Sequence, residues 1–218
     1  MKHQRILVTD FDGTMTRTDF FHFAREVFPS AADHDYWQDR LDGKLTHFEG
    51  LSALFRNIRT DWKGMEQALD RMELDPRLPD SVEQLQEAGW KIIVASAGCE
   101  WYIRRLLDRA GVSLEIHAIP GVFSPESGLV MHLPENSPYL SMEFGIDKAA
   151  IVRNALKKDP FAAFAGDSGL DIPAAELVDP SVRFARHRLL AHFKNKAEEC
   201  RHFEWWSDIA GALLEPWK

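Results

Sequence analysis

Three short apolar runs, each ending in a small or acidic residue, constrain the fold of this 218-residue chain more than any other feature. They are "RILVT" (5–9), "KIIVASAG" (91–98) and "FAAFAGD" (161–167). Runs this short that are apolar on both faces fit strands buried inside a parallel sheet, since a half-exposed strand would alternate polar and apolar residues. Between them lie helical patterns: 81–88 introduced by "LPDS", 101–110 closed by Gly111, and 148–157 closed before Pro160. Strands alternating with helices predict an α/β fold, a doubly wound Rossmann-like parallel sheet with right-handed crossovers. Such sheets bind ligands beyond the carboxyl ends of their strands, where Asp10, Ser96 and Asp167 fall.

The segment 18–75 breaks the rhythm. It is rich in Phe, Trp, Leu and charge, has helical spacing in "DFFHFAREVF" and "HFEGLSALFRNI", and contains no strand-like run. It predicts a helical cap domain inserted after the first strand, with 1–17 and 76–218 forming the α/β core domain. The cap aromatics Phe20, Phe21, Phe23, Trp37, Phe48 and Phe55 suit a core of its own, with a minority lining a pocket. A stretch at 119–139, with Gly121, Pro125, Gly128 and Pro134 around "LVMHL", predicts a β-hairpin beside the sheet.

The first run leads into "DFDGT", which puts two carboxylates, Asp10 and Asp12, at a strand end. Strand alternation would send both to one side and Phe11 to the other. Two like charges that close need a cation or a shared proton to offset them. Turn or cap chemistry could explain one such pair, but a second pair stands in "GDSGLD" (166–171). Taken singly, Ser96 or Asp171 could cap a helix and Lys148 could be a surface lysine. The nine histidines show no metal-ligand spacing and read as structural or surface residues, and Glu100, Trp101 and Tyr102 could wall a pocket.

Four of these segments together resemble the haloacid dehalogenase superfamily: "DFDGT" at 10–14, Ser96 ending "KIIVAS", Lys148 in "GIDKAAIV", and "GDSGLD" at 166–171. The resemblance implies a phosphatase in which Asp10 is the nucleophile, Asp12 the general acid and base, and Lys148 a catalytic partner of Asp10. It implies that Ser96, Ala97 and Lys148 contact the substrate phosphoryl group. Mg²⁺ would be held by Asp10, the carbonyl of Asp12 and Asp167, with Asp171 completing the acidic cluster. The second Asp of the first motif separates phosphatases and phosphomutases from branches that lack an acid there.

The helical insert, the hairpin before Lys148, the run "FARHRLL" at 184–190 and the aromatic "FEWW" at 203–206 resemble the phosphoserine-phosphatase-like branch. Within it they resemble the methionine-salvage phosphatases that act on 2-hydroxy-3-keto-5-methylthiopentenyl-1-phosphate. The chain departs from that pattern in having "SMEFGIDK" without cysteine before the lysine, and from phosphoserine phosphatases in having Asp19 as its nearest acid after the first motif. A phosphoserine- or phosphocholine-type phosphatase, a phosphomutase and a non-catalytic binding protein are the alternatives.

Composition narrows the partners. A net charge of −8 lacks the basic footprint of a nucleic-acid or anionic-membrane ligand, so a small soluble substrate fits better, which the resemblance implies is a small-molecule phosphate monoester; a monomer or homodimer is expected. Hydrophobic residues at 45% and charged residues at 28% supply an ordinary globular core. Two cysteines form no disulfide framework, no apolar run approaches membrane-span length, and "MKHQRILV" offers no signal peptide, so a cytoplasmic protein is expected.

Overall fold

The computed structural model describes residues 4–215. In chain order, β1 (Arg5–Thr9) precedes four helices, α1 (Phe20–Val27), α2 (Tyr36–Leu41), α3 (His47–Arg56) and α4 (Trp62–Asp70). Next come α5 (Leu78–Glu87), β2 (Trp90–Cys99), α6 (Glu100–Arg109) and β3 (Glu115–Ile119). Two small antiparallel pairs follow, β4 (Gly121–Ser124) with β5 (Gly128–Met131) and β6 (Leu140–Ser141) with β7 (Gly145–Ile146). The chain closes with α7 (Lys148–Leu156), β8 (Ala163–Gly166), α8 (Ile172–Ala175), β9 (Arg183–Ala185), α9 (His187–Lys196), β10 (Arg201–His202) and α10 (Trp206–Leu214).

Six strands form one parallel sheet in the order β10-β9-β8-β1-β2-β3. Flanking helices cover it: α5 packs on β2 and against α10, and α7 packs on β1 and β2 and against α8. This is the expected α/β arrangement. Leu7 and Val8 of β1, Val94 and Ala95 of β2 and Phe164 and Ala165 of β8 are fully buried, as covered parallel strands require. β2 runs one residue further at each end than its apolar pattern suggested, through Ala97 and Gly98 to Cys99. At the start of β1, the buried Asp159 carboxylate accepts the Ile6 N–H at 2.8 Å, satisfying a donor that β8 does not reach.

The helical segment between β1 and α5 joins the sheet through two chain crossings that pair with each other. Thr16 bridges Leu74, Asp75 N–H donates to the Met15 carbonyl at 3.1 Å, and Arg17 N–H donates to Met72 at 3.0 Å. Its helices begin at side-chain caps: Asp19 for α1, Asp35 for α2, Thr46 for α3 in a capping box with Glu49, and Asp61 for α4. Phe20, Phe23 and Phe55 are buried, with Phe20 and Phe55 edge-on at 5.1 Å. On one flank, Trp62 of α4 packs against Trp101 of α6 and Phe123 of β4, and Arg105 and Arg109 pair with Glu66 and Asp70. No helix among the described residues is long and apolar enough to cross a membrane.

Candidate active site

The carboxyl ends of β1, β2 and β8 gather the polar residues that the sheet does not bury in its middle. β1 ends at Thr9, so Asp10 and Asp12 lie on a loop rather than on a strand. That loop curls at once, with the N–H groups of Thr14, Met15 and Thr16 all directed to the Phe11 carbonyl. Period-two alternation therefore ends before the two carboxylates, and they take different partners. Phe11 turns into the core, as expected.

Asp10 is fixed on two sides. Its N–H donates to the Ala165 carbonyl of β8 at 2.9 Å, and its carboxylate accepts the Lys148 ammonium at 2.8 Å and the Phe11 N–H at 2.7 Å. Lys148 is the first residue of α7, begun by the Asp147 cap, and it bridges Asp10 to Asp171, whose Oδ1 lies 2.7 Å away. The other oxygen of Asp171 accepts from Ser168 N–H and Oγ–H, both at 2.8 Å, and from Asp167 N–H at 3.2 Å. Asp171 is thus engaged on both oxygens: it holds Lys148 and shapes the "GDSGLD" loop. Its side chain makes no cap bond to α8.

The electrostatics are dominated by burial. Desolvation, reinforced by Asp171, pushes the Asp10 carboxyl well above the usual range despite Lys148. Burial alone would lower the Lys148 ammonium, but the Asp10 and Asp171 carboxylates outweigh it and raise it. Asp167 is raised by burial and by Asp171, with His187 acting the other way. Carboxylate oxygens of Asp10, Asp167 and Asp171 all lie within 4.8 Å of one another. One ammonium cannot balance two buried carboxylates and a half-buried third, so this oxygen-only set suits a hard cation.

Asp12 is held separately. Its Oδ2 accepts the Tyr102 hydroxyl at 2.7 Å, and its Oδ1 accepts the N–H of Phe20, first residue of α1, at 3.2 Å. Burial and then Asp19 raise its pKa to about 7, against the lowering effect of the Tyr102 and Phe20 bonds. A carboxyl poised there can give and take a proton near neutral pH. Gly98 makes room for this contact: a Cβ at 98 would lie 2.0 Å from the Tyr102 hydroxyl and 2.6 Å from Asp12 Oδ2. Ser96 is buried inside β2, and its Oγ accepts the Gly98 N–H at 2.9 Å, so it caps no helix. Ala97 is buried beside it.

Three residues outside the expected set join the site. Tyr102 was legible only as a pocket wall, and its bond to Asp12 spans 90 residues. Arg186 donates to the carbonyls of Gly13, Thr16 (3.0 Å) and Glu204 (2.6 Å), clamping the Asp10–Asp12 loop from behind. His187, expected as a structural or surface residue, is exposed on one side, but its Nδ1 lies 3.3 Å from Asp167 Oδ2, and its backbone is left-handed with φ 46°. No local pattern signals either role, although both residues fall in the "FARHRLL" run. Gly13 has φ +69°, and a Cβ there would meet Asp167 Oδ2 at 2.5 Å, so the loop excludes side chains at that position.

Comparison with known proteins agrees with this architecture. The chain is 26% identical over 192 residues to a protein of Lysinibacillus sphaericus named 2-hydroxy-3-keto-5-methylthiopentenyl-1-phosphate phosphatase, covering 85% of this chain and 83% of that one. It is 25% identical to a polyol phosphate phosphatase of Saccharomyces cerevisiae, covering 96% and 92%. A substrate-bound phosphoserine phosphatase has the same fold, with a TM-score of 0.64 at 15% identity over 97% of this chain and 99% of that one. Residues 7–176 match the haloacid dehalogenase-like hydrolase family, and the chain belongs to that family.

Proposed function

We propose that the protein is a Mg²⁺-dependent phosphomonoesterase that works through an aspartyl phosphate on Asp10. The observation that carries this reading is the separation of the two carboxylates of the first motif: Asp10 is tied to Lys148, while Asp12 is held apart by Tyr102 and Phe20 with a pKa of about 7.

In the first step Asp10 attacks phosphorus, a new P–O bond forms, the bond to the leaving oxygen breaks, and that oxygen takes the Asp12 proton. In the second step water attacks phosphorus, Asp12 takes the water proton, and inorganic phosphate leaves with Asp10 restored. Lys148 favours the ionised form of Asp10 against the burial that raises it, and Ser96, the Ala97 backbone and Lys148 receive the phosphoryl oxygens. Asp10, Asp167 and the Asp12 carbonyl would hold Mg²⁺, with Asp171 supporting through Lys148 and its own loop. When bound, the ion grips substrate phosphate and neutralises charge.

The substrate we propose is 2-hydroxy-3-keto-5-methylthiopentenyl-1-phosphate. The Lysinibacillus relative carries that name, and the aromatic side chains of the helical segment suit an apolar tail. A polyol phosphate is the second reading, favoured by the yeast relative. A cytoplasmic setting belongs to the proposal and is supported by two cysteines that remain free. The test is phosphate release by the purified protein with Mg²⁺ against a panel of metabolite monoesters, with Asp10→Asn as the blank. Release from the methylthio enol phosphate above all others supports the substrate. Release from none of the panel rejects the hydrolase.

A further inference from the structure

The helical segment buries one side chain that its own packing does not explain. His47, the first residue of α3, is only 6% exposed, and its Nδ1 has no hydrogen-bond partner. A buried unpaired polar atom carries a desolvation penalty, so a protein that keeps one normally supplies its partner from elsewhere. A packing role alone would be met by an aromatic or aliphatic residue here, since Trp37 and Phe144 flank the imidazole at 5.8 and 6.0 Å.

The position of His47 is tightly set. Thr46 and Glu49 cap α3 reciprocally, the His47 N–H donates to Glu143 Oε1 at 3.3 Å, and the Phe48 N–H donates to the Glu143 carbonyl at 2.9 Å. From Glu143 the chain passes through β7 and the Asp147 cap directly to Lys148. The start of α3 is therefore tethered to the start of α7, and His47 stands within range of the Lys148 charge. Burial, then Arg40 and Lys148, lower its pKa to about 4, so the ring is neutral at working pH. Arg40 stacks on Trp37 at 4.7 Å and leaves its own Nε unpaired. With a neutral ring, two aromatic walls and two cations nearby, this corner disfavours a substrate ammonium and accepts an uncharged polar group.

We infer that His47 is a specificity-determining residue whose Nδ1 hydrogen-bonds an uncharged hydroxyl or carbonyl on the alcohol portion of the phosphoester. This rests on the phosphomonoesterase reading and adds that substrates with a hydroxyl or ketone near the ester are selected over plain alkyl or aryl esters. A site that hydrogen-bonds a substrate group rejects analogues lacking it, because the buried partner is then left unpaired.

The test compares kcat/KM for dihydroxyacetone phosphate and glycerol phosphate with that for propyl phosphate and p-nitrophenyl phosphate, in wild type, His47→Phe and His47→Asn. Wild type should favour the oxygenated esters. His47→Phe should lower that preference by roughly 10- to 100-fold, mainly through KM, and His47→Asn, whose amide can occupy the Nδ1 position, should restore part of it. Equal losses on all four esters would mark a structural role and overturn the inference. So would an unchanged preference in His47→Phe, no rescue by Asn, or a wild type with no preference at all. Wild type inert on every ester would instead reject the phosphatase reading.

Discussion

Replacing Gly98 by Ala probes the contact that holds Asp12, the proposed proton donor. The new Cβ would stand 2.0 Å from the Tyr102 hydroxyl, 2.6 Å from Asp12 Oδ2 and 3.1 Å from Ser96 Oγ, all too close for van der Waals contact. Gly98 lies in β2 beyond the last residue paired with β1 and within the irregular stretch between Ala95 and Cys99 of the β3 pairing, with its N–H held by Ser96 Oγ, so the clash falls on the Tyr102 hydroxyl and Asp12 and opens their bond. A hydrogen bond to a charged group contributes about 1.5–3 kcal/mol, which corresponds to a loss of roughly 10- to 150-fold in kcat/KM. Tyr102→Phe removes the same bond without the clash at the hydroxyl and should lose a similar amount. Because both changes break one interaction, the double variant should lose little more than either single one, giving a coupling energy of about 1–3 kcal/mol in a double-mutant cycle. The assay is steady-state phosphate release from one alkyl phosphomonoester with Mg²⁺ saturating. Losses that multiply in the double variant, or a Gly98→Ala protein as active as wild type, would refute the reasoning.

Other outcomes follow from the same geometry. Asp10→Asn should abolish phosphate release while leaving the fold intact, and turnover at the wild-type rate would remove the covalent route. Asp167→Asn should raise the Mg²⁺ needed for half-maximal activity by more than roughly tenfold, measured by metal titration. Asp12 must hold its proton to serve as acid, and burial has raised its pKa from 3.8 to about 7, so kcat/KM for an alkyl ester should fall above about pH 7. That fall should be shallower with p-nitrophenyl phosphate, whose leaving group needs no proton; identical profiles for alkyl and aryl esters would contradict it. Arg186→Met should reduce stability by about 2–4 kcal/mol, since three backbone carbonyls lose their donor, and lower Tm by roughly 5–15 °C by thermal unfolding.

What the sequence made legible is what local chemistry determines. β1 and β2 were visible because their residues are apolar without alternation, and the ends of α6 and α7 because Gly111 and Pro160 punctuate them. The outer strands β3 and β10, and β9 inside β10, were not: Glu115 and His117 interrupt β3, and β9 and β10 are three and two residues long, too short to show any period. The gathering of Asp10, Lys148 and Asp171 is what the resemblance of their motifs implies. The partners of Asp12 are not so implied, because Phe20 and Tyr102 reach it from a helix start and a distant helix face. His47 and His187 read as structural or surface residues for the same reason: a histidine's role depends on what surrounds it in space, which spacing along the chain does not encode.

The central position of β1 has a consequence for how the molecule is made. The strand that carries the first motif emerges earliest, yet its N-terminal anchor, the Ile6–Asp159 bond, closes a loop of 153 residues. The Thr9 hydroxyl beside the nucleophile accepts from the Trp206 indole, 197 residues away. Until β8 has been synthesised β1 lacks one neighbour, and until α10 has left the ribosome Thr9 lacks its own. A nascent chain halted before residue 160 therefore presents an apolar strand edge to the cell and should bind chaperones that the released protein does not, because non-local parallel pairing is slow and open to aggregation while it waits. Assembly of the proposed catalytic centre thus waits on β8 and α10, although Asp10 precedes both by more than a hundred residues in the chain.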